Sequence, residues 1–527
     1  MARIHGWPGA ETPLRQSSLA RSDGDLPALL QLYFQGWEEE APTAEVTWST
    51  SGCTTRADIA AAVRDLLGVL ERLGLLRSPG RVGIHLDDGV SNLVVGIAIF
   101  LAGQCQVVFP RHAPLAEIEA QQQQLECDWI LTDSSTLLPG GWQTVADFSL
   151  FMPGAGEGDV RFQALRPDLA QPSQSSAMPL RLSDPAFLTL SSATTTGVPS
   201  LQLRTFLTSL HYLTAGEHWH YFTPRRMVRR NFQFPGPRAQ LINLILAGGC
   251  LCLYAAQQEE ALPRLYGESG ATRTHLFIPE LRRLVVRRAL PEFPESLEIL
   301  VGTDRVPMAL RGEVHHQRPG CLVITYSTSQ CGPITFLPAN QLLAVEESVG
   351  WPVAGVTLGF PEEAAEDGAA EVVVDKTWTV ALPEPGGGWR FEVQNLLGFR
   401  PGDRLRARPD GQFVFAGRAN DVFLFRGVLI SPVPLETFLE AQQGVLEAVA
   451  FGAESSTYGA VPMAVVQLEE GLDPLRISLQ LQRASRQLFG FRGLYAVHPN
   501  AEIPRGVGGK PLRRELARRY RLMDQAV

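Results

Sequence analysis

Between Thr54 and Leu76 the apolar residues fall at helical spacing. Ile59, Val63, Leu66, Leu67, Val69, Leu70 and Leu73 mark the pattern, which predicts a helix. Upstream, the first 45 residues are polar apart from one short amphipathic helix around Leu26–Trp37, and Glu45–Ser49 reads as a short strand. Downstream the period switches back and forth. Arg81–Leu86 reads as strand, Asn92–Ala102 as buried helix, Gln106–Pro110 as strand, Pro114–Leu125 as helix and Trp129–Thr132 as strand. Strand and helix in alternation predict an α/β fold on a mainly parallel sheet.

Residues 152–183, rich in Gly, Pro, Ser and Gln, read as an excursion or linker. The alternation resumes at Ala186–Leu190, with a helix over Gln240–Leu246 and strands at Cys250–Tyr254, Thr274–Pro279, Leu297–Val301 and Cys321–Tyr326. The last of these runs straight into polar residues, a normal place for a site. From about 340 to 418 short strands and turns take over, such as Glu371–Val374 and Phe413–Phe415. After Asn420 a small α/β unit follows: a strand, helix Pro434–Gln443, strands Leu446–Phe451 and Val461–Leu468, and helix Pro474–Leu488.

Composition narrows this. A chain of 527 residues exceeds one ordinary core, so two or more domains are expected. A net charge of −9 argues against general nucleic-acid binding. The local clusters Arg225-Arg226, Arg229-Arg230, Arg282-Arg283 and Arg287-Arg288 read as solvated helix faces rather than docking patches. The seven cysteines are odd in number and lack a CxxC pair or zinc spacing, which predicts buried thiols in a reducing compartment. No signal-peptide pattern is seen, and the longest apolar run, Leu93–Gly103, is far short of the roughly 20 residues of a spanning helix. The expected setting is cytoplasmic.

One compositional fact bears on chemistry. Of 46 Lys+Arg only two are lysines, Lys376 and Lys510. Lys510 sits in the glycine-rich stretch Ile503–Arg514, ahead of a basic helix start. A compact ammonium on a flexible stem enters a crowded site where a planar guanidinium cannot. Other polar loops follow strands. Leu190–Ser200 offers hydroxyls and turn amides of the kind a phosphate needs. Tyr326–Gly332 is a second such loop, Phe399–Arg404 puts Asp403 on a turn, and Gly417–Gly427 lies where strand-rich sequence gives way to the last α/β unit.

In order and spacing these pieces resemble the motifs of the adenylate-forming superfamily: acyl- and aryl-CoA synthetases, peptide-synthetase adenylation domains and firefly luciferase. The resemblance covers roughly residues 25–520. The Ser/Thr/Gly loop ending Gly-x-Pro-Lys maps to Thr194–Ser200, Tyr-Gly-x-Thr-Glu to Tyr326–Gln330 and aromatic-Arg-x-Gly-Asp to Phe399–Asp403. The Gly-Arg-x-Asp hinge maps to Gly417–Asn420 and the C-terminal Gly-Lys to Gly509-Lys510.

The resemblance implies a large N-terminal domain of parallel-sheet subdomains plus a small β-barrel over residues 1–418, and a small mobile α+β domain over 419–527. It implies ATP and Mg²⁺, a carboxylic acid activated as acyl-AMP, and transfer to coenzyme A or a carrier-protein pantetheine. Thr194, Thr195, Thr196, Gly197, Tyr326, Ser329, Asp403 and Arg418 would surround the nucleotide. Asp403 would hold the ribose hydroxyls and Tyr326 would frame the adenine. Lys510 would bridge the carboxylate and α-phosphate, and Asn420 would be the hinge. The acid pocket would involve Phe232, Gln233, Phe234, Val301, Gly302 and Thr303. Gln233 stands where amino-acid-activating relatives carry an aspartate, which favours an aryl or fatty acid.

The chain also departs from the pattern. Ser200 replaces the phosphate-loop lysine, with Arg204 as a nearby substitute, and Gln330 replaces the glutamate that helps hold Mg²⁺. An amide oxygen is a poorer magnesium ligand than a carboxylate. Thr194 and Ser327 stand where the family usually has glycine, and Asn420 replaces the hinge aspartate. Three readings follow: a divergent acid–AMP ligase of secondary-metabolism type, an enzyme using only the acyl-transfer half, or a non-catalytic partner keeping the fold. Keeping Asp403, Arg418 and Lys510 together favours the first.

Overall fold

A computed structural model describes residues 26–76, 80–86, 89–109, 114–134, 140–153, 159–167, 180–190, 201–214, 225–229, 235–302, 304–328, 330–360, 368–383, 389–455, 457–505 and 510–522. The helix predicted from the Thr54–Leu76 periodicity runs Arg56–Arg72. Thr55 caps it: its hydroxyl accepts from the Asp58 amide while the Asp58 carboxylate accepts from the Thr55 amide. That reciprocal cap satisfies two amides the first turn leaves over.

Two sheets organise the large N-terminal part. One has seven strands, with Trp129–Thr132, Arg81–His85, Cys105–Val108 and Pro185–Leu190 parallel at its centre. The other has twelve; its parallel centre comprises Leu322–Thr328, Glu298–Val301, Arg273–His275, Arg225–Arg229, Cys250–Tyr254 and Glu45–Ser49. Strands such as Cys250–Tyr254 and Cys105–Val108 are buried at every residue, as expected of parallel strands covered on both faces. Both sheets contribute to one core that also holds the helices Arg56–Arg72, Val90–Leu101 and Pro235–Leu246.

A polar knot sits inside that core. Arg238 is fully buried in the first turns of Pro235–Leu246. Its Nε donates to Gln106 Oε1 at 3.0 Å, and its Nη atoms donate to the side chain and carbonyl of Asn92. Gln106 in turn donates to the Gly96 carbonyl at 2.8 Å. A side chain at Gly96 would collide with Arg238, its Cβ lying 2.6 Å from Nη2. A buried guanidinium is tolerated when its donors are used, and here they fix the start of the helix that follows residues 230–234.

Three expectations need correction. The stretch read as an excursion contains a complete hairpin strand, Asp159–Pro167, which pairs antiparallel with Trp142–Phe151 at the edge of the seven-stranded sheet. The strand expected over Thr274–Pro279 stops at His275, because Pro279 in the first turn starts the helix Ile278–Val286, where its missing N–H costs nothing. The arginine clusters are not simply solvated faces, since Arg226 is buried and Arg282 is committed to ion pairing. Six cysteines are buried and Cys53 is exposed.

Beyond the parallel centre, antiparallel strands Gly332–Leu337, Ser348–Pro352, Phe413–Arg418 and Asp403–Ala407 extend the large sheet. They share a small core with the three-stranded sheet of Val356–Gly359, Val373–Pro383 and Trp389–Phe399. From Phe423 onward the chain builds a separate five-stranded sheet. The helices Pro432–Glu440, Pro474–Phe489 and Arg513–Arg519 contribute to its core. No helix among the described residues is long and apolar enough to cross a membrane.

Candidate active site

Three of the sequence-predicted nucleotide residues meet at one carboxylate. Asp403 opens its strand directly after Gly402, whose φ of +75° suits glycine. The antiparallel register sets Asp403 opposite Arg418. Arg418 Nε donates to Asp403 Oδ1 at 3.0 Å, and the Tyr326 hydroxyl, from the end of the central strand Leu322–Thr328, donates to Oδ2 at 2.7 Å. Burial, with the Asp403 carboxylate beside it, holds the Tyr326 hydroxyl well above its ordinary pKa, so it stays a donor. Asp403 is buried, whereas Arg418 keeps 31% of its side-chain surface and faces outward.

The loop after Tyr326 is gripped from below by the other lysine. Lys376 is 1% exposed, and its Nζ donates to the Pro333 carbonyl at 2.6 Å. It also lies 5.6 Å from the centre of the Trp378 ring. Burial pushes its pKa down to about 7, and the nearby Arg204 guanidinium adds to the fall. Composition alone had drawn attention to Lys510; Lys376 belongs to the frame of the same site.

Gly302 ends the strand Glu298–Val301 against Thr325. A Cβ there would lie 2.4 Å from Thr325 Cγ2, so only glycine lets the two segments close. The Gly302 carbonyl accepts from the Ser327 hydroxyl at 3.4 Å. Gln330 is partly exposed on the turn beside Tyr326. Among the described residues no group of three or more His, Cys, Asp or Glu could hold a metal ion. Thr194, Thr195, Thr196, Gly197, Ser200, Phe232, Gln233, Phe234, Thr303 and Ser329 lie outside the described residues.

Lys510 belongs to the C-terminal unit. Its loop is pinched by a bridge between Arg505 and Pro511 and by the Leu512 amide donating to the Pro504 carbonyl at 2.8 Å. Among the described residues no hydrogen bond or ion pair joins Lys510 to Tyr326, Asp403 or Arg418. What ties its loop down is Arg513, three residues on. Arg513 pairs with Asp421 at 3.1 Å and Glu436 at 2.7 Å, and Asp421 directly follows Asn420 in a short 3₁₀ turn.

Glu436 leads to a seam that the sequence reading missed. Glu436 and Glu440 are one turn apart on the helix Pro432–Glu440. Arg305 of the large unit reaches both, bonding Glu440 and lying 3.6 Å from Glu436, while also pairing with Glu347 at 2.8 Å. Arg282 pairs with Glu440 at 3.0 Å and donates to the Leu446 carbonyl. Arg305, Glu347, Glu436 and Glu440 each expose less than a tenth of their side chains. Burial pushes the Glu440 carboxyl up, against the pull of Arg305 and Arg282. The i,i+4 carboxylate pair was visible in the sequence, but its partners Arg513, Arg305 and Arg282 lie 77 to 158 residues away.

No family model matches the chain. Curated relatives do. A nonribosomal peptide synthetase of Aspergillus fumigatus is 24% identical over 82% of this chain and 11% of its own length. The benzoate–CoA ligase of Thauera aromatica is 35% identical over 23% of this chain and 24% of its own. The chain is thus similar to enzymes of the adenylate-forming kind. Solved structures share its fold. ATP-bound MatB of Rhodopseudomonas palustris superposes with a TM-score of 0.71 at 16% identity, covering 93% of this chain and 99% of that one. The o-succinylbenzoate–CoA synthetase of Bacillus subtilis, solved with ATP and magnesium ion, gives 0.69 at 18% identity over 92% and 98%. The matches thus span about a tenth to a quarter of the length of the first curated relatives.

Proposed function

We propose that this adenylate-forming protein is an ATP-dependent ligase that joins a carboxylic acid to a thiol by way of an acyl-AMP. The observation that carries this reading is the Tyr326–Asp403–Arg418 constellation. Tyr326, from a distant strand, and Arg418, from the paired neighbouring strand, converge on one buried carboxylate, and the guanidinium faces outward. A carboxylate has about four lone-pair sites, so Asp403 can accept ribose hydroxyls while keeping both present donors. Arg418, partly exposed, supplies charge toward the phosphates.

In the first half-reaction the acid's carboxylate oxygen attacks the α-phosphorus and pyrophosphate leaves. This chemistry rests on positioning and charge neutralisation. Lys510 supplies the mobile positive charge for that step. Magnesium would arrive with ATP, held mainly by the phosphates, because Gln330 and its described neighbours do not make a protein-held metal site. In the second half-reaction a thiolate, from coenzyme A or a carrier-protein pantetheine, attacks the acyl carbon and AMP leaves. We place the boundary between the adenylating unit, 1–418, and the unit bearing Lys510, 419–527, at Asn420, about which the second unit turns. Gln233 in place of an ammonium-binding carboxylate favours aryl or fatty acids over α-amino acids.

The test is acid-dependent pyrophosphate release with ATP and Mg²⁺ over a panel of aryl, fatty and amino acids, for the wild type and Lys510→Ala. We expect release with one acid class and a loss of at least about 100-fold in Lys510→Ala, a transition-state effect without change in melting temperature. Silence across the panel from a folded protein would overturn the ligase reading.

A further inference from the structure

The hairpin that carries Tyr326 is irregular at one point. Leu322–Thr328 pairs antiparallel with Gly332–Leu337, with Tyr326 opposite Thr335 but Ser327 opposite Pro333. Ile334 is therefore an extra residue, a bulge set directly across from Tyr326 and Ser327. Two carbonyls at the bulge are taken by other elements. That of Ile334 accepts from the Val353 amide at 2.9 Å, and that of Pro333 accepts from Lys376 Nζ at 2.6 Å. Pro333 has no N–H of its own to fasten this point. A bulge bends its strand and re-aims the side chains beside it. Here that side chain is Tyr326, whose hydroxyl donates to Asp403 at 2.7 Å.

A lysine is an unexpected fastener. Val374, Lys376 and Trp378 alternate along the strand Val373–Pro383 and share one face. Val374 lies in the small core with Tyr326, Cys331 and Ile334, and Trp378 lies in the large core. An apolar side chain is the ordinary occupant between them, yet Lys376 is buried there. Its cross-strand partners, Val356 and Leu396, carry no charge. The titratable groups that act on it are Cys331 and Arg204, and no carboxylate is among them. Among the described residues its one hydrogen bond goes to Pro333. Burying an amine in this way is costly unless the bond it makes is used. A chain that uses arginine almost everywhere else keeps here a thin stem ending in one donor atom, which reaches a single carbonyl through packed side chains.

We propose that Lys376 is a positioning residue: by holding the Pro333 carbonyl it fixes the bulge that seats the Tyr326 hydroxyl on Asp403, and through that seating it sets the affinity for nucleotide. The last step rests on the adenylation reading, which makes Asp403 the acceptor of ribose hydroxyls. Arg418 holds one carboxylate oxygen and Tyr326 the other. With both donors in place the remaining lone pairs point in fixed directions; without Tyr326 the carboxylate is free to turn. Lys376 acts without touching the ligand.

Two measurements on the full chain test this. The first needs no ligand: carbon NMR of protein carrying ζ-¹³C tyrosine, with the Tyr326 resonance assigned by its loss in Tyr326→Phe. In Lys376→Met, which fills similar volume without a donor, that resonance is expected to move toward the position of an exposed tyrosine and to titrate nearer the ordinary pKa of about 10. Lys376→Leu, also without a donor, serves if Lys376→Met does not fold. The second is AMP binding by calorimetry. Lys376→Met is expected to bind at least about fivefold more weakly than wild type, the worth of one hydrogen bond. Lys376→Gln, whose amide can still donate to Pro333, recovers part of that loss. In a Tyr326→Phe background the Lys376→Met change adds nothing, because the hydroxyl through which it acts is already gone.

An unmoved Tyr326 resonance in the donor-less variant overturns the proposal. So does a loss of AMP affinity of equal size with and without the Tyr326 hydroxyl, which marks general support of the fold. The two readings fail separately. A resonance that moves in a protein that binds no AMP would leave the seating of Tyr326 standing and sink the nucleotide reading. AMP binding indifferent to Lys376→Met, with the resonance unmoved, would do the reverse.

Discussion

One helix, Pro432–Glu440, serves two regions built on opposite principles. Leu435 and Leu439 point into the C-terminal core, where they pack with Val449, Phe451 and Val465. Glu436 and Glu440 point the other way, into the seam with the large unit, and meet Arg305, Arg282 and Arg513. The core is cohesive because burying apolar surface needs no partner of defined geometry. The seam is specific but weakly cohesive, because stripping water from six or so charges cancels much of their attraction. If the C-terminal unit turns as the proposed function requires, a seam of this kind names one docked arrangement without making it irreversible. Arg513, three residues after Lys510, extends the seam to Asp421 in the turn after Asn420.

Removing one partner of the seam tests this most severely. Arg305→Met strands Glu347 and Glu440 in a buried site and is expected to weaken docking of the C-terminal unit by about 3–5 kcal/mol. Small-angle scattering and protease cleavage near residue 420 should both report a loosened unit, with the C-terminal core still folded. An unchanged profile would mean the seam does not set the orientation. Leu439→Ala acts on the other face of the same helix and should cost about 2–5 kcal/mol, read as early melting of the C-terminal unit. If that variant instead loosened docking with its core intact, the division of labour along the helix would be wrong.

A smaller effect comes from Lys376. Its folded pKa of about 7 lies below that of an unfolded lysine, near 10.4. Between those values the unfolded state binds a proton the folded state lacks, so stability rises with pH. Relative to Lys376→Met, the wild type should gain about 1.4 kcal/mol per pH unit between pH 7 and 10, and nothing below pH 6. A flat difference across that range in chemical denaturation would show that the amine is not held in a depressed state.

Much of this was legible in sequence. Helical periodicity located Arg56–Arg72, and the apolar run Leu93–Gly103 located Val90–Leu101. Both signals are local: the first marks the one face of a helix that is buried, the second a helix buried all round. The hairpin Trp142–Phe151 was lost because half-exposed edge strands lack a strong apolar pattern. The end of the strand at His275 was lost because Pro279 acts through the next helix, not through the strand's own residues.

The candidate site divides in the same way. Asp403, Arg418 and Tyr326 were nameable because the short stretches around them resemble motifs of the adenylate-forming superfamily. The sequence by itself therefore determined the α/β class, most of the alternation of strand and helix, and which residues to look for around Asp403. Only the tertiary structure decided that Lys376 supports the Pro333 carbonyl and that Arg305 reaches Glu440. Each depends on partners brought together from distant parts of the chain. Whether a buried polar group is satisfied is a property of that assembly and leaves no periodic signature in the residues on either side.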